Sequence, residues 1–529
     1  MDINETIIKK IIEDKIEDKE KLSKIKRKTA KRFDASCPKN VELLQVYHNL
    51  LKDKRIEKNI KIERILRKRP VRSLSGVSVV SVFTNPYPCP GECVFCPSEE
   101  GLPKSYLRGE PAAERALKLN FDPFLQVQKR IESLKKQGHP IDKIEIRVIG
   151  ATFSYYPEEY KINFFTNLFA AANKRKPKKI TNKNDLELEQ KLNEKSENRI
   201  VGISVETRPD FINEKEILLM RELGVTMVEI GAQTVFDDVL KKCKRGHTKK
   251  ASIEATKLLK DAGLKVLYQM MPNLPGSNLK KDLEAFEEIF NNQDYKPDWL
   301  KIYPCLVCKG AELYKMWKRK EFVPHQDEEL TELLIKIKKI IPYWVRLARL
   351  FRDIPSQKIE AGSTISNIRE LAQKRMKEQG LSCKCIRCRE VKQRYNPKEK
   401  IYLFKEEYKA SRGKEIFLSF ENKKRDKLFA FLRLRIPSQI KENKKHFITV
   451  LENSTIIREL HTYGQQIPIE EKGAAPQHKG LGKKLIKEAE KITKEEKIPK
   501  ISVISGVGVR EYYRKLDYKL KKDYMVKRL

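Results

Sequence analysis

The chain has 529 residues, 35% of them charged, and Lys+Arg 112 against Asp+Glu 73 leaves a formal net charge of +39. Such a length supports two to four domains with sizeable cores, and such a surplus points to a polyanionic partner, nucleic acid before an anionic membrane surface. A Lys- and Glu-rich solvated surface would explain the density of charge but not its sign; no apolar run approaches the ~18 residues of a membrane span.

Residues 1–72 read as a basic helical segment. Ile7, Ile8, Ile11, Ile12 and Ile16 fall near helical spacing, residues 41–51 form a modest apolar helix, and MDINETIIKK lacks the apolar core of a signal peptide. Basic runs flank that helix: KIKRKTAKR supplies Lys24, Lys26, Arg27, Lys28, Lys31 and Arg32, and ILRKRP supplies Arg67, Lys68 and Arg69. Charge runs are usually solvated faces. Two of them around one helix are taken here as phosphate contacts with a nucleic acid.

Residues 73–320 alternate strand-like runs (77–83, 143–150, 200–206, 227–233, 265–272, 300–306) with helical patterns such as 112–137, 214–223 and 251–262. Six βα units imply an α/β fold with a parallel sheet, closed or partly closed into a barrel whose site lies at the strand C-termini. There the sequence places GATFSYYP (150–157), ETRPD (206–210), GAQT (231–234), RGH (245–247) and MMPNLPG (270–276). The polar stretch 182–198 reads as a surface insertion.

After the first strand comes CPGECVFCP, with Cys89, Cys93 and Cys96 separated by three residues and then two. Thiolates this close can share one inorganic centre, and soft sulfur selects an Fe–S cluster or zinc. A structural zinc wants four closed ligands, and the loop offers three. Three cysteines on a cubane leave one iron open. The ten cysteines, six in two tight triplets, read as metal ligands in a reducing cytoplasm rather than disulfides.

Residues 321–392 read as a linker with helical patterns at 328–340 and 364–379, ending in CKCIRC. Cys383, Cys385 and Cys388 are a zinc candidate that needs a fourth ligand, Cys308 or His325, with three free thiols as the bland alternative. Residues 393–529 show paired strands (415–420, 427–434), another at 455–461, and QHKGLG (477–482) opening a helix at 483–497. Consecutive amides at a helix N-terminus, with glycines to admit a pyrophosphate, suit an anionic cofactor.

The CxxxCxxC loop after a first strand resembles the radical S-adenosylmethionine (SAM) enzymes. Together with RPVRSLSGVSVV, GATFSYYP, ETRPD, RGH and MMPNLPG, it resembles the catalytic subunit of the Elongator complex, most closely its archaeal and bacterial members. Some family members carry a longer loop between the first two cysteines; this chain keeps the common radical SAM spacing. The resemblance implies a partial (β/α)6 radical SAM barrel followed by a GCN5-related N-acetyltransferase domain. It also implies carboxymethylation of the wobble uridine of tRNA from acetyl-CoA, by radical attack of the acetyl methyl carbon on C5. By resemblance Cys89, Cys93 and Cys96 hold a [4Fe–4S] cluster, Gly150 abuts SAM's amino group, Glu206 hydrogen-bonds SAM, and Lys143 is associated with acetyl-CoA. In the C-terminal domain the resemblance assigns the backbone of Glu459, Leu460, His461 and Thr462 to the pantetheine. Gln477, Gly480, Leu481 and Gly482 fall to the phosphates, and Tyr512 or Tyr513 to the thioester sulfur. The expected partners are tRNA, through its anticodon stem-loop, and an electron donor; a homodimer stays open, and no membrane is expected. A protein lysine acetyltransferase with a structural Fe–S domain is the competing reading, weakened by a SAM-contacting rim that a structural domain does not need.

Overall fold

The computed structural model describes every residue except 1, 68–75, 366, 393, 397 and 464–479. Four helices, Ile3–Glu13, Lys19–Arg32, Asn40–Lys52 and Ile60–Leu66, form the N-terminal unit. The isoleucine spacing puts Ile7, Ile8 and Ile11 on one stripe, buried against Leu43, Leu44 and Tyr47. Arg67 ties the unit to the barrel, its Nε donating to the Gly138 carbonyl at 2.6 Å.

The central sheet is parallel throughout and has seven strands: Ser78–Phe83, Lys143–Ile149, Arg199–Thr207, Met227–Gln233, Lys265–Met270, Trp299–Ile302 and Arg346–Arg349. It curls into a partial barrel, its apolar faces packed against helices such as Glu158–Ala172 and Lys249–Asp261. The seventh strand lies beyond residue 320, so the expected end of the barrel does not hold for the sheet. The helical pattern 112–137 divides into Pro111–Leu117 and Pro123–Lys136. Asn120 and Phe121 adopt positive φ, and the Asp122 side chain caps the second helix by accepting from the Leu125 amide.

The stretch read as a surface insertion is part of the body. Helix Lys183–Asn193 buries Leu186, Glu189, Gln190 and Asn193. Most of its buried polar side chains are engaged: Asn193 Nδ2 donates to Asn173 Oδ1 at 2.8 Å and Gln190 Nε2 to the Glu222 carbonyl at 2.7 Å. Glu189 Oε2 accepts from Asn173 Nδ2 at 2.8 Å, with Arg175 ion-paired to its other oxygen at 3.1 Å. Glu194, at its end, receives Arg510 at 3.2 Å and Arg514 at 2.5 Å from the C-terminal domain.

That domain is a second seven-stranded sheet with helix Leu481–Glu495 packed on it. Strand Thr455–Thr462 pairs with Leu428–Ile436 on one edge along most of its length. Its other edge pairs in parallel with Lys500–Val503 only through Ile457, after which the two strands part. A bulge opposite Arg433/Leu434 leaves Arg458 as an extra residue. Arg458 and Glu459 consequently both face the barrel.

A buried ionic knot joins the two sheets. Arg458 forks onto both Asp298 oxygens at 2.9 and 2.5 Å and reaches Glu415 at 3.0 Å. Arg435 reaches Asp261 at 2.7 Å, where the Ser438 hydroxyl also donates at 2.7 Å. Burial alone would raise the Asp298 carboxyl, but Arg458, Lys260 and Arg433 hold it well below the usual carboxylate range. Among the described residues no helix is long and apolar enough to cross a membrane.

Candidate active site

One cavity of about 760 Å³ enters the barrel at the C-terminal end of the strands, where Cys89, Cys93, Cys96 and Glu206 line it. It runs through the lumen to Arg346, at the opposite end. The cysteine loop follows the first strand through Asn85–Pro88, a turn tied down by two tyrosines. The Tyr156 hydroxyl bonds Thr84 at 2.9 Å and the Asn85 carbonyl at 2.6 Å, and the Tyr160 hydroxyl accepts from the Asn85 amide at 2.8 Å. Arg245, from the RGH motif, donates to Cys93 Sγ at 3.3 Å, and the Thr152 hydroxyl lies 3.5 Å from Cys89 Sγ. Burial, and then the neighbouring Cys93, push the Cys96 thiol up to about 11. Three thiolates here want a cation.

Glu206 spends one oxygen on the protein. Its Oε1 accepts from Tyr106 Oη at 2.6 Å and from the amides of Gly150 and Ala151 at 2.7 and 3.0 Å. Burial raises its carboxyl, with Lys301, Tyr106 and the Gly150 amide pulling the other way. Oε2 has no such donor among the described residues and is left for a ligand. Gly150 has φ 144°, and a Cβ there would lie 1.9 Å from Thr84 Oγ1; any side chain would push the amide off Glu206.

Below this mouth the lumen is charged. Lys301 pairs with Glu229, and Arg147 with Glu145 at 2.9 Å. At the floor Arg346 pairs with Glu390, lies over the Trp299 ring with 4.9 Å to its centroid, and donates to Tyr463 Oη at 2.7 Å. Tyr463 directly follows the C-terminal strand Thr455–Thr462. Sequence reasoning did not single out Tyr106, Thr152, Arg245 or Arg346; Thr152 and Arg245 had a signal through the motifs GATFSYYP and RGH, and Tyr106 and Arg346 had none.

In the C-terminal domain the parted strand faces the start of helix Leu481–Glu495. A Cβ built on Gly482 would meet Tyr512 Oη at 3.0 Å, Thr462 Oγ1 at 3.6 Å and Leu460 Cδ2 at 3.9 Å. Those four residues converge. Gly480 caps the helix at φ 69°, with nothing within 4 Å of a Cβ placed there. Tyr513 does not join them: it is buried in the core, edge-on to Tyr518 at 5.9 Å. Glu459 and His461 face the other way, Glu459 accepting from Arg433 at 2.8 Å and His461 lying 4.4 Å from the Tyr463 ring. Lys143 opens its strand at the end away from the cysteine loop and does not line the cavity.

The second triplet gathers. Ligand atoms of Cys383, Cys385 and Cys388 lie within 4.8 Å of one another, with Lys338 Nζ 3.8 Å from Cys388 Sγ. Neither expected fourth ligand is there. Cys308 lines the barrel cavity, and His325 Nε2 is engaged by Asp282 at 3.1 Å, so the fold carries both elsewhere. On the basic helix Lys24, Arg27, Lys28, Lys31 and Arg32 are exposed, whereas Lys26 bonds Asn40 at 2.8 Å and Arg67 is committed to Gly138. Lys68, Arg69 and Gln477 lie outside the described residues.

Two family models match the chain, the Radical SAM superfamily over residues 87–289 and the Radical_SAM C-terminal domain over residues 297–378. A tRNA uridine(34) acetyltransferase of Methanocaldococcus jannaschii is 47% identical over 99% of this chain and 97% of its own length. Human Elongator complex protein 3 is 39% identical over 99% and 96%. The chain belongs to the Elongator complex protein 3 family. A solved member of that family, the Methanocaldococcus infernus protein lacking residues 1–46, superposes with TM-score 0.75 at 45% identity, covering 86% of this chain and all of that one. A radical SAM domain implies a [4Fe–4S] cluster and SAM. The residues present fit both: three cysteines on one loop with Arg245 and Thr152 at the sulfurs, and a carboxylate oxygen of Glu206 left over at the mouth.

Proposed function

We propose that this chain builds a carboxymethyl group on C5 of the wobble uridine of tRNA, taking the two carbons from acetyl-CoA. The observation that carries this reading is the single cavity from the cysteine loop to Arg346, whose guanidinium touches Tyr463 at the end of the parted strand. The relatives named for tRNA uridine(34) acetylation support the substrate. Cys89, Cys93 and Cys96 would hold the cluster, and Glu206 Oε2 would take the amino group of SAM. Bound there, the cluster and SAM supply the one-electron chemistry that opens an unreactive C–H bond. Arg245 and Thr152 screen the sulfurs, and Gly150 and Ala151 keep Glu206 aimed. The parted strand, through Leu460 and Thr462, and the helix start at Gly480–Gly482 would hold acetyl-CoA. Anaerobic incubation with a reductant, SAM, acetyl-CoA and unmodified tRNA, followed by nucleoside mass analysis, tests the reading. A plain acetyl adduct would refute the carboxymethyl product, and transfer to peptide lysine with no tRNA product would refute the whole.

Tyr512 has a defined part. Burial pushes its phenol up to about 12, so it stays protonated at working pH and can donate to the thioester sulfur or to the leaving thiolate. Tyr512→Phe should bind acetyl-CoA within about twofold of wild type while tRNA-dependent thioester cleavage falls roughly 100-fold, as for loss of a general acid. Unchanged cleavage would remove Tyr512 from the site.

The exposed cations of helix Lys19–Arg32 would take phosphates of the tRNA. Replacing Lys24, Arg27, Lys28, Lys31 and Arg32 with alanine should weaken tRNA binding and flatten its log–log salt dependence by up to ~0.9 per lost contact. A slope equal to wild type would place the tRNA elsewhere. Cys383, Cys385 and Cys388 would hold a structural zinc, detectable by metal analysis, with a fourth ligand that is neither Cys308 nor His325. The ten cysteines are all free in the structure, which suits a reducing cytoplasm and a cytoplasmic electron donor.

A further inference from the structure

Four phenylalanine or tyrosine side chains are exposed among the described residues: Phe33, Tyr87, Tyr155 and Tyr402. Two of these meet. The ring centroids of Tyr87 and Tyr155 lie 6.0 Å apart. Tyr87 stands two residues before Cys89, and Tyr155 three residues after Thr152, which lines the cavity beside Cys89. The pair is therefore at the lip of the chamber.

One buried ring, Tyr156, and two half-buried ones, Tyr160 and Phe211, hold it there. Tyr87 packs on Tyr156 at 4.8 Å, Tyr156 stacks on Tyr160 at 5.0 Å, and Tyr155 meets Phe211 edge-on at 5.6 Å. The Arg208 guanidinium lies 5.9 Å from the centroid of Phe211. Labour is divided along this ladder. Tyr156 and Tyr160 use their hydroxyls to tie the Asn85 turn. The Tyr87 and Tyr155 hydroxyls have no hydrogen-bond partner among the described residues, and these side chains stay 39% and 42% exposed. Rigid apolar rings kept in water at a chamber mouth contribute little to the fold. They are suited to binding a flat, unsaturated ligand.

We infer that Tyr87 and Tyr155 form a stacking platform for the unpaired bases that flank the target uridine. The inference rests on the tRNA reading above and names the part of the RNA that this lip receives. A strand that delivers one base into the chamber must leave its neighbours at the entrance, and single-stranded RNA is held by stacking on aromatic faces and guanidinium planes. The +39 net charge draws a polyanion toward the surface. The nearby Glu158 is engaged by Lys183 at 3.3 Å, which tempers its repulsion of phosphate.

The test uses the full chain and two probes: an unmodified anticodon stem-loop RNA, and the same RNA with an abasic nucleotide on one side of the target. Tyr87→Ala and Tyr155→Ala should each weaken binding of the intact stem-loop by roughly tenfold, within the five- to 150-fold range of a lost base–ring stack. The phenylalanine variants should bind as wild type does. Against the abasic RNA on the matching side, the alanine variants should lose little more, because both changes remove one stack. RNA-free SAM cleavage with a chemical reductant should stay unchanged and reports an intact fold. Wild-type binding by both alanine variants, or losses that simply add with the abasic change, would overturn the platform. So would variants that bind RNA normally but accept electrons poorly from a protein donor, since the rings would then dock that donor. If the wild-type chain binds neither tRNA nor the stem-loop, the tRNA reading itself falls and takes the platform with it.

Discussion

Asp298→Asn is expected to cost about 3–5 kcal/mol of stability, the penalty for leaving buried cations without their counter-charge. Asp298 is fully buried and accepts both arms of Arg458, with Lys260 at 3.5 Å and Arg433 at 3.7 Å. The asparagine is nearly isosteric, so lost packing would not explain a loss of that size. Denaturant unfolding with both tryptophan fluorescence and circular dichroism should show it. A change under about 1 kcal/mol would mean that Glu415 takes over the guanidinium, and the knot would then be worth far less than its geometry suggests. The sign with pH follows from the same groups. Asp298, Asp261 and Glu415 are all held below their ordinary values by neighbouring arginines and lysines despite burial. Their contribution is therefore complete above the unfolded carboxylate value of about 4, and it disappears as pH falls through the lower folded values. Wild type should lose stability on acidification below that point, and Asp298→Asn should lose less of it.

Cys93→Ala should abolish SAM cleavage. Cys93 is buried, and its sulfur accepts the hydrogen bond from Arg245 at 3.3 Å, so it sits at the centre of the loop rather than at its edge. With two thiols left, anaerobically reconstituted protein should fall from about four irons per chain to well under one, with the visible absorption of a cluster lost. Circular dichroism should remain that of wild type, because the alanine vacates a site that a metal would otherwise fill. Retained iron with retained cleavage would place the cluster elsewhere. Stoichiometric zinc on the wild-type loop would end the radical reading.

Most of the parallel sheet was legible because the helix-facing positions of its strands, such as Ile144, Ile146 and Val148, are apolar and lie between helices of clear period, although lumen-facing positions carry charges such as Arg147 and Glu229. Strand Arg346–Arg349 was not. It is four residues long, and two of them are arginines, acceptable there because Arg346 finds Glu390, Tyr463 and the Trp299 ring while Arg349 pairs with Asp353. Helix Lys183–Asn193 was misread for a related reason: its buried face is largely polar, and hydrogen bonds from Asn193 and Gln190 satisfy what periodicity counts as solvent-facing. At the site, spacing gave the cysteine loop and motif gave Glu206, but nothing in the chain order announces that Tyr106 reaches across to Glu206 or that Cys308 belongs to the barrel cavity. Between Tyr512 and Tyr513 the sequence had no preference. The fold decides, turning the first hydroxyl toward Gly482 and the second ring into the core.

Strand Thr455–Thr462 has two employers. Leu460 and Thr462 look toward Gly482, while Arg458 and Glu459, brought to one side by the bulge, look into the barrel. Neighbouring positions on one short segment thus answer to different halves of the molecule. A shuffled gene that joined this barrel to another acetyltransferase would meet Asp261 and Asp298 with the wrong partners, unless the newcomer also brought counterparts of Arg435 and Arg458. The two halves therefore constrain each other: improving one by laboratory evolution with the other held constant should stall at this seam, and libraries that vary both sides of it together should be the productive ones.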